Sequence, residues 1–329
     1  MRRIIIIGAV GALLVAILAG GAWTWLITGF ERAGPLAQQT TVIIKRGAGV
    51  NAIANDLLRA GVIDDPLVFR LGIRLLAKST PLRAGEFAFS AGTSPRAAAE
   101  LLQSGKTVVR RLTIAEGLTT REIISQLNRT LGLTGAIEGV LREGSLLPET
   151  YHYAFADSRQ SIVERMEAGM TRAVSGLWQD RAPNLPLKSA AEALVLASVV
   201  EKETGKSGER VRIAGVFVNR LRKGMRLQSD PTVAYGLTRG AVPLGRALTR
   251  ADLKAPTEFN TYTIDGLPPS PITNPGRAAI AAVMHPLETE DLYFVADGSG
   301  GHAFAKTLAQ HNQNVAKWRR IQKLKTQAQ

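Results

Sequence analysis

The sequence predicts an α+β protein: an N-terminal transmembrane helix, a small α/β module, and then a larger mixed α+β domain. Three observations predict this. Residues 4–27, "IIIIGAVGALLVAILAGGAWTWLI", carry no charge. From residue 41 a β-branched run, a glycine turn and an amphipathic helical pattern follow one another, and the same order returns from residue 110. In the second half, longer helical patterns alternate with isolated strand-like stretches. A chain of 329 residues with 45% hydrophobic content has material for two or three compact units.

The uncharged segment, as a helix, spans roughly 36 Å, enough to cross a bilayer core. Trp23 and Trp25 stand at one end, where interfacial aromatics belong. A cleaved signal peptide is the rival reading, because Arg2 and Arg3 form a positive start and "LAGGA" offers small residues for cleavage. The apolar run exceeds the roughly 7–15 residues of a signal h-region, which favours an uncleaved anchor. Arg2 and Arg3 then keep residues 1–3 as a cytoplasmic tip and place everything beyond the anchor across the membrane.

That topology bears on the net charge of +14. On the cytoplasmic side nucleic acid would be the first partner to weigh; on the far side it is not expected. Anionic lipid headgroups, a polyanionic wall polymer or a generally basic solvated surface remain. The chain has no cysteine, so neither disulfides nor thiolate metal sites form. Four histidines, His152, His285, His302 and His311, lack i, i+4 pairing, and no metal site or cofactor is expected.

Residues 28–40 read as a linker. The module at 41–107 opens with the strand "TTVII", a turn at Gly47 and a helix whose apolar face holds Val50, Ile53, Ala54, Leu57 and Leu58. Residues 108–150 repeat the theme: Ile44 aligns with Ile114, Gly47 with Gly117, Ile53 with Ile123 and Leu57 with Leu127, as an internal duplication would give. A strand is expected around Glu86–Phe89. A helix follows over Ser94–Gln103, with Ser94 as N-cap and Pro95 at its first position.

The domain at 151–329 has helical patterns at 160–178, 189–204, 207–222 and 276–284. Strand-like stretches lie at 225–228 and 292–296, and a basic helix runs from Thr307. The Pro-rich stretch from Asp252 to Pro275 is too long for a simple connector and reads as a functional loop.

The helix at 189–204 is apolar on every side, yet it ends in "VVEKETG". At 100° per residue Glu201 projects with Ala190, Leu194, Ala197 and Ser198, over a floor of mostly small residues. Glu203 points about 160° away. A carboxyl among apolar neighbours is desolvated and its pKa rises, as a general acid at neutral pH requires. Pairing of both glutamates with Lys202, Lys206 or Arg210 is an equally good structural reading. In the next helix, opened by Ser207 as N-cap and closed by Gly224, Asn219 lies off the apolar arc. Gln228 and Asp230 share a face if "RLQSD" is extended, as in a sugar cleft, although Asp before Pro is more often a turn cap.

The segments "LASVVEKET", "VFVNRLRKGMRLQSDPTVAYG", "FNTYTIDGLPP" and "LYFVADGSGGHAFAKTLAQHN", with "LPETYHY" as a weaker outlier, occur in order over residues 147–312. Together they resemble the endolytic murein transglycosylases of the bacterial envelope, the family often called YceG-like. The resemblance implies a single-pass protein of the cell inner membrane, with a LysM-like module at 41–107 and an extracytoplasmic catalytic domain. It implies peptidoglycan glycan strands as substrate and cell-wall synthesis proteins as possible partners. The first glutamate of "VEKET", Glu201, would be catalytic, with Asn219, Gln228, Asp230, Asn260 and Tyr262 gripping the glycan.

The reaction implied cleaves the bond between N-acetylmuramic acid and N-acetylglucosamine, with the muramyl 6-hydroxyl as internal nucleophile, and leaves a 1,6-anhydro end. Glu201 would protonate the leaving oxygen and then, as carboxylate, accept the hydroxyl proton. Intramolecular attack also raises effective concentration. A role in ending nascent strands fits a linker that reaches no more than roughly 45 Å. Two other readings stand beside it: a water-using muramidase with Asp230 or Glu258 as second carboxylate, and a non-catalytic, membrane-tethered glycan-binding scaffold.

Overall fold

A computed structural model describes residues 2–77 and 80–327. Met1 of the expected tip, Lys78 and Ser79 of the module, and the last two residues of the final domain lie outside the described residues. The chain divides into two compact units: one comprises the residues up to Arg110 with His152–Asp157, the other Arg111–Tyr151 with the residues from Ser158 on.

In the first unit α1 runs over Arg2–Glu31, and its apolar stretch from Ile6 is long enough to cross a membrane. The helix does not stop where the expected linker begins. Leu26 and Phe30 are buried in the core of this unit, so the chain stays helical to Glu31 and only the residues beyond it connect to β1 (Thr40–Ile44). α2 (Val50–Arg59) buries Ile53, Ala54 and Leu57. α3 (Pro66–Leu75), which no sequence pattern announced, is capped by the Asp65 carboxylate accepting from the Leu67 and Val68 N–H groups.

β2 (Gly85–Phe89) pairs antiparallel with β1, from Thr40 opposite Phe89 to Ile44 opposite Gly85. Val42, Ile44, Phe87 and Phe89 are buried. α4 (Pro95–Ser104) begins as expected, with the Ser94 hydroxyl accepting from the Ala97 N–H and Pro95 at the start.

β3 (Arg110–Thr113) and β4 (Thr150–Tyr153) fall on the division between the units. Between them, α5 (Thr120–Arg129) opens with a capping box of Thr119 and Glu122. The paired positions of the two strand-turn-helix segments behave alike. Ile44 and Ile114, Ile53 and Ile123, and Leu57 and Leu127 are all buried, and the turn glycines share a left-handed backbone, Gly47 at φ 77° and Gly117 at φ 78°.

In the second unit α6 (Arg159–Gln179), α8 (Arg210–Arg222), α9 (Asp230–Thr238) and α10 (Arg277–Met284) pack on α7 (Ala190–Glu203). The all-round apolar pattern of α7 has its cause here: Leu196, Ala197, Val199 and Val200 are fully buried among Phe217, Ile280 and Val283. Burying each large aliphatic side chain contributes about 1.5–3 kcal/mol, which makes α7 the axis of the unit.

Two expectations fail nearby. Ser207 does not cap α8; it opens a short 3₁₀ turn, Ser207–Glu209, and α8 starts at Arg210 without a side-chain cap. Residues 225–228 are not a strand, because Gln228 turns left-handed at φ 52° and feeds α9. β5 (Tyr293–Ala296) and β6 (His302–Ala305) form an antiparallel hairpin turned at Gly298 and Gly300, and α11 (Leu308–Gln327) follows.

Candidate active site

The C-terminal turn of α7 delivers two carboxyls to different surroundings. Glu201 is buried. Its Oε2 accepts from the Gly276 N–H at the start of α10 (2.9 Å), and its Oε1 meets Arg210 of α8 at 3.3 Å. Arg210 also pairs with Glu116 at 3.1 Å. Burial raises the Glu201 pKa; the Gly276 hydrogen bond opposes this, Glu116 adds to it and Arg210 works against it. Glu201 thus ties together α7, α8, α10 and the segment after β3.

Glu203, the last residue of α7, is half-buried and accepts a hydrogen bond from the Ser229 hydroxyl. Its pKa is pushed up to about 7 by burial; Ser229 opposes the rise, the charge of Asp230 adds to it and that of Arg220 opposes it. Glu203 borders a cleft of about 530 Å³ together with Gln228, Asp230 and Tyr262. Arg220 lines it too, as do Tyr293, Phe294 and His302 of the hairpin.

Three of the five expected glycan-gripping residues therefore come together, but they surround Glu203. Gln228 takes its left-handed backbone because its N–H donates to the Thr261 carbonyl (3.1 Å), while its amide oxygen faces Arg220 Nη1 at 3.4 Å. That orientation leaves the amide NH₂ as donor to a ligand. Asp230 begins α9 ahead of Pro231 and accepts from the Tyr262 hydroxyl at 2.6 Å. Burial and the Asp230 carboxylate both raise the Tyr262 pKa, so it remains a neutral phenol.

The two asparagines do different work. The Asn219 amide donates to the Thr289 carbonyl (2.6 Å) and the Asp291 carbonyl (3.1 Å), fastening α8 to the approach to β5. Asn260 is fully buried; its amide donates to the carbonyls of Leu253 and Ala255, and its oxygen accepts from the Tyr262 N–H. Asn260 thereby sets the loop that carries Tyr262, the residue of the Asp252–Pro275 stretch that borders the cleft. Glu258 pairs with Arg239 on the surface and does not border the cleft.

Arg220 escaped the sequence reading. It is buried, its Nε donates to the Leu292 carbonyl and its Nη1 to the Leu227 carbonyl, and its guanidinium lies 5.2 Å from the Tyr293 ring centre. Its helical phase was the available signal: Arg220 lies in the last turn of α8, three, four and seven residues after the buried Phe217, Val216 and Ile213, and so continues the apolar face.

All of these residues fall inside residues 42–317, which match the sequence pattern of the YceG-like family. The chain belongs to the YceG-like family. The endolytic murein transglycosylase of Bacillus subtilis (strain 168) is 29% identical, over 92% of this chain and 91% of its own length. The endolytic murein transglycosylase of Streptococcus pneumoniae (serotype 2, strain D39) is also 29% identical, over 84% of this chain; the match spans 58% of that longer protein. A crystal structure of a YceG-like protein from Listeria monocytogenes superposes with a TM-score of 0.54 at 29% identity, covering 84% of this chain and 98% of that one.

Proposed function

We propose that this chain cleaves the glycan strands of peptidoglycan as a membrane-anchored endolytic lytic transglycosylase, with Glu203 as the general acid. One observation carries the choice of acid: Glu203 is the carboxyl that borders the cleft with Gln228, Asp230 and Tyr262 and is held near pKa 7. Glu201, the acid expected from the motif, is occupied by Gly276 and Arg210 and acts as a structural latch. The B. subtilis relative supports the reaction class.

Glu203 gives its proton to the oxygen leaving muramyl C1, and the muramyl 6-hydroxyl attacks C1, closing the 1,6-anhydro ring as its own proton passes to a base in the cleft. The Gln228 amide, Asp230 and Tyr262 supply directional contacts for sugar hydroxyl and N-acetyl groups, and the Tyr293 and Phe294 rings supply apolar faces. The helix α1, with Arg2 and Arg3 at its start, supports a single-pass anchor in the cell inner membrane with the remainder on the outer side. In the first unit the order β1, α2, α3, β2 with antiparallel pairing supports a LysM-like module that adds glycan affinity. Anchored in this way, the protein ends nascent strands close to the membrane.

A second reading rests on Asp230, a further carboxylate in the same cleft, which in a muramidase would activate water. One experiment separates these readings: digest purified glycan strands and weigh the products. Wild type is expected to yield 1,6-anhydro ends, Glu203→Gln to lose about 10²–10⁴-fold in rate, and Glu201→Gln to retain turnover to the extent that it folds. Reducing muramic acid ends would establish the muramidase. Full activity of Glu203→Gln, beside an inactive but folded Glu201→Gln, would return the acid role to Glu201. An absence of cleavage by wild type would leave the glycan-binding scaffold.

A further inference from the structure

The hairpin brings a second proton-handling group to the cleft. His302, at the start of β6, borders it together with Glu203. Glu209, in the turn before α8, holds this residue twice: Oε2 lies 2.7 Å from His302 Nδ1, and Oε1 accepts the His302 backbone N–H at 3.1 Å. A carboxylate only accepts, so Nδ1 carries the hydrogen and the neutral ring keeps its lone pair on Nε2. Burial disfavours the charge on Glu209, but the two bonds from His302 outweigh it and hold the carboxyl below the usual range, ionised and able to orient the ring.

Nε2 has no partner among the described residues. The imidazole is also confined, with Phe294 edge-on at 5.4 Å and Phe304 at 6.4 Å between ring centres. Gly301 makes the clasp possible, since a Cβ there would lie 2.4 Å from Glu209 Oε1. A carboxylate that fixes one ring nitrogen while the other stands free is the arrangement by which enzymes orient a histidine base.

We propose that His302, oriented by Glu209, is the base that receives the proton of the attacking muramyl 6-hydroxyl, a role that rests on the cleft reading above. The C1–O bond to the leaving sugar breaks, and its electron pair stays on the oxygen that takes the proton of Glu203. The C1–O6 bond forms as the hydroxyl proton moves to Nε2. Glu203 is then a carboxylate and His302 an imidazolium, and return of one proton from His302 to Glu203 through cleft water restores both. No other reactant is consumed. Glu203 does not need to act on both oxygens in turn, and Asp230 is left to bind.

The test uses the full chain in detergent with glycan strands as substrate, comparing kcat and KM for wild type, His302→Ala, Glu209→Gln, Gly301→Ala and Glu203→Gln, each checked for folding by thermal melting. His302→Ala is expected to lose about 100-fold or more in kcat with little change in KM, and added imidazole to restore part of it. Glu209→Gln and Gly301→Ala are expected to lower kcat in the same sense and not to respond to imidazole. An unchanged kcat in His302→Ala, or a raised KM alone, overturns the proposal while leaving the cleft reading intact. If His302→Ala does not fold, unchanged kcat in both Glu209→Gln and Gly301→Ala overturns it. Wild-type turnover by Glu203→Gln instead brings down the cleft reading, and the base assignment with it.

Discussion

Glu203 ends α7 with Ser229 donating to its carboxylate and with burial pushing its pKa from an ordinary value near 4.5 up to about 7. Between those two values the folded state holds a proton that the unfolded state has released. The stability linked to this group is therefore fully present below about pH 4.5 and declines as pH rises to about 7. The loss is at most on the order of 3 kcal/mol. Glu203→Gln should consequently melt higher than wild type at pH 8, with the gap closing towards pH 5; equal melting temperatures at both pH values would refute the burial effect. In the proposed role the same titration would limit catalysis, since an acid must be protonated to act. The kcat/KM profile is expected to fall above about pH 7, and a profile flat from pH 6 to 9 would remove Glu203 from the role. Glu201, one residue before Lys202 and so close in sequence, answers to different neighbours: Gly276 and Arg210 favour its anion, and its replacement should register first in stability.

At the scale of elements, α8 is fastened by Asn219 to the carbonyls of Thr289 and Asp291, so Asn219→Ala leaves two carbonyls without their donor. A loss of about 1–3 kcal/mol is expected by thermal or denaturant unfolding, with KM for glycan unchanged; Tyr262→Phe should do the reverse, raising KM while sparing stability. Local chemistry made several elements readable in advance. Ser94 and Pro95 announced α4, the β-branched "TTVII" announced β1, and the unbroken apolar run announced α7. The α9 helix was hidden, because "SDPT" carries a turn signature and its start depends on Ser229, whose N–H bonds to the distant Thr261 hydroxyl. The choice between Glu201 and Glu203 was hidden for the same reason. Helical phase says that the two carboxyls point apart, but the groups that meet each of them, Gly276 on one side and Ser229 with Tyr262 and the hairpin on the other, arrive from far along the chain.

Across the whole molecule, a net charge of +14 coexists with a carboxyl, Glu203, that the proposed acid role requires to be protonated. Arg220, which lines the cleft, lowers the Glu203 pKa, and burial prevails over it. The two strand-turn-helix segments share a local device: Gly47 and Gly117, aligned in the sequence, are under the same left-handed backbone constraint. The end of α1 has a further mechanical meaning. Phe30 is fully buried, and the backbone of α3 meets its ring where a Cβ on Gly72 would lie 2.3 Å away. Phe30→Ala is expected to cost about 3–5 kcal/mol in the unfolding of the first unit, while a polar substitution at exposed Leu18 should leave that unfolding unchanged. If α1 is seated in a bilayer, as proposed, the first unit cannot pivot at the membrane surface without breaking its own core. It would then be mounted on a mast instead of hung from a tether, and any tilt of the helix would be passed to the unit as leverage.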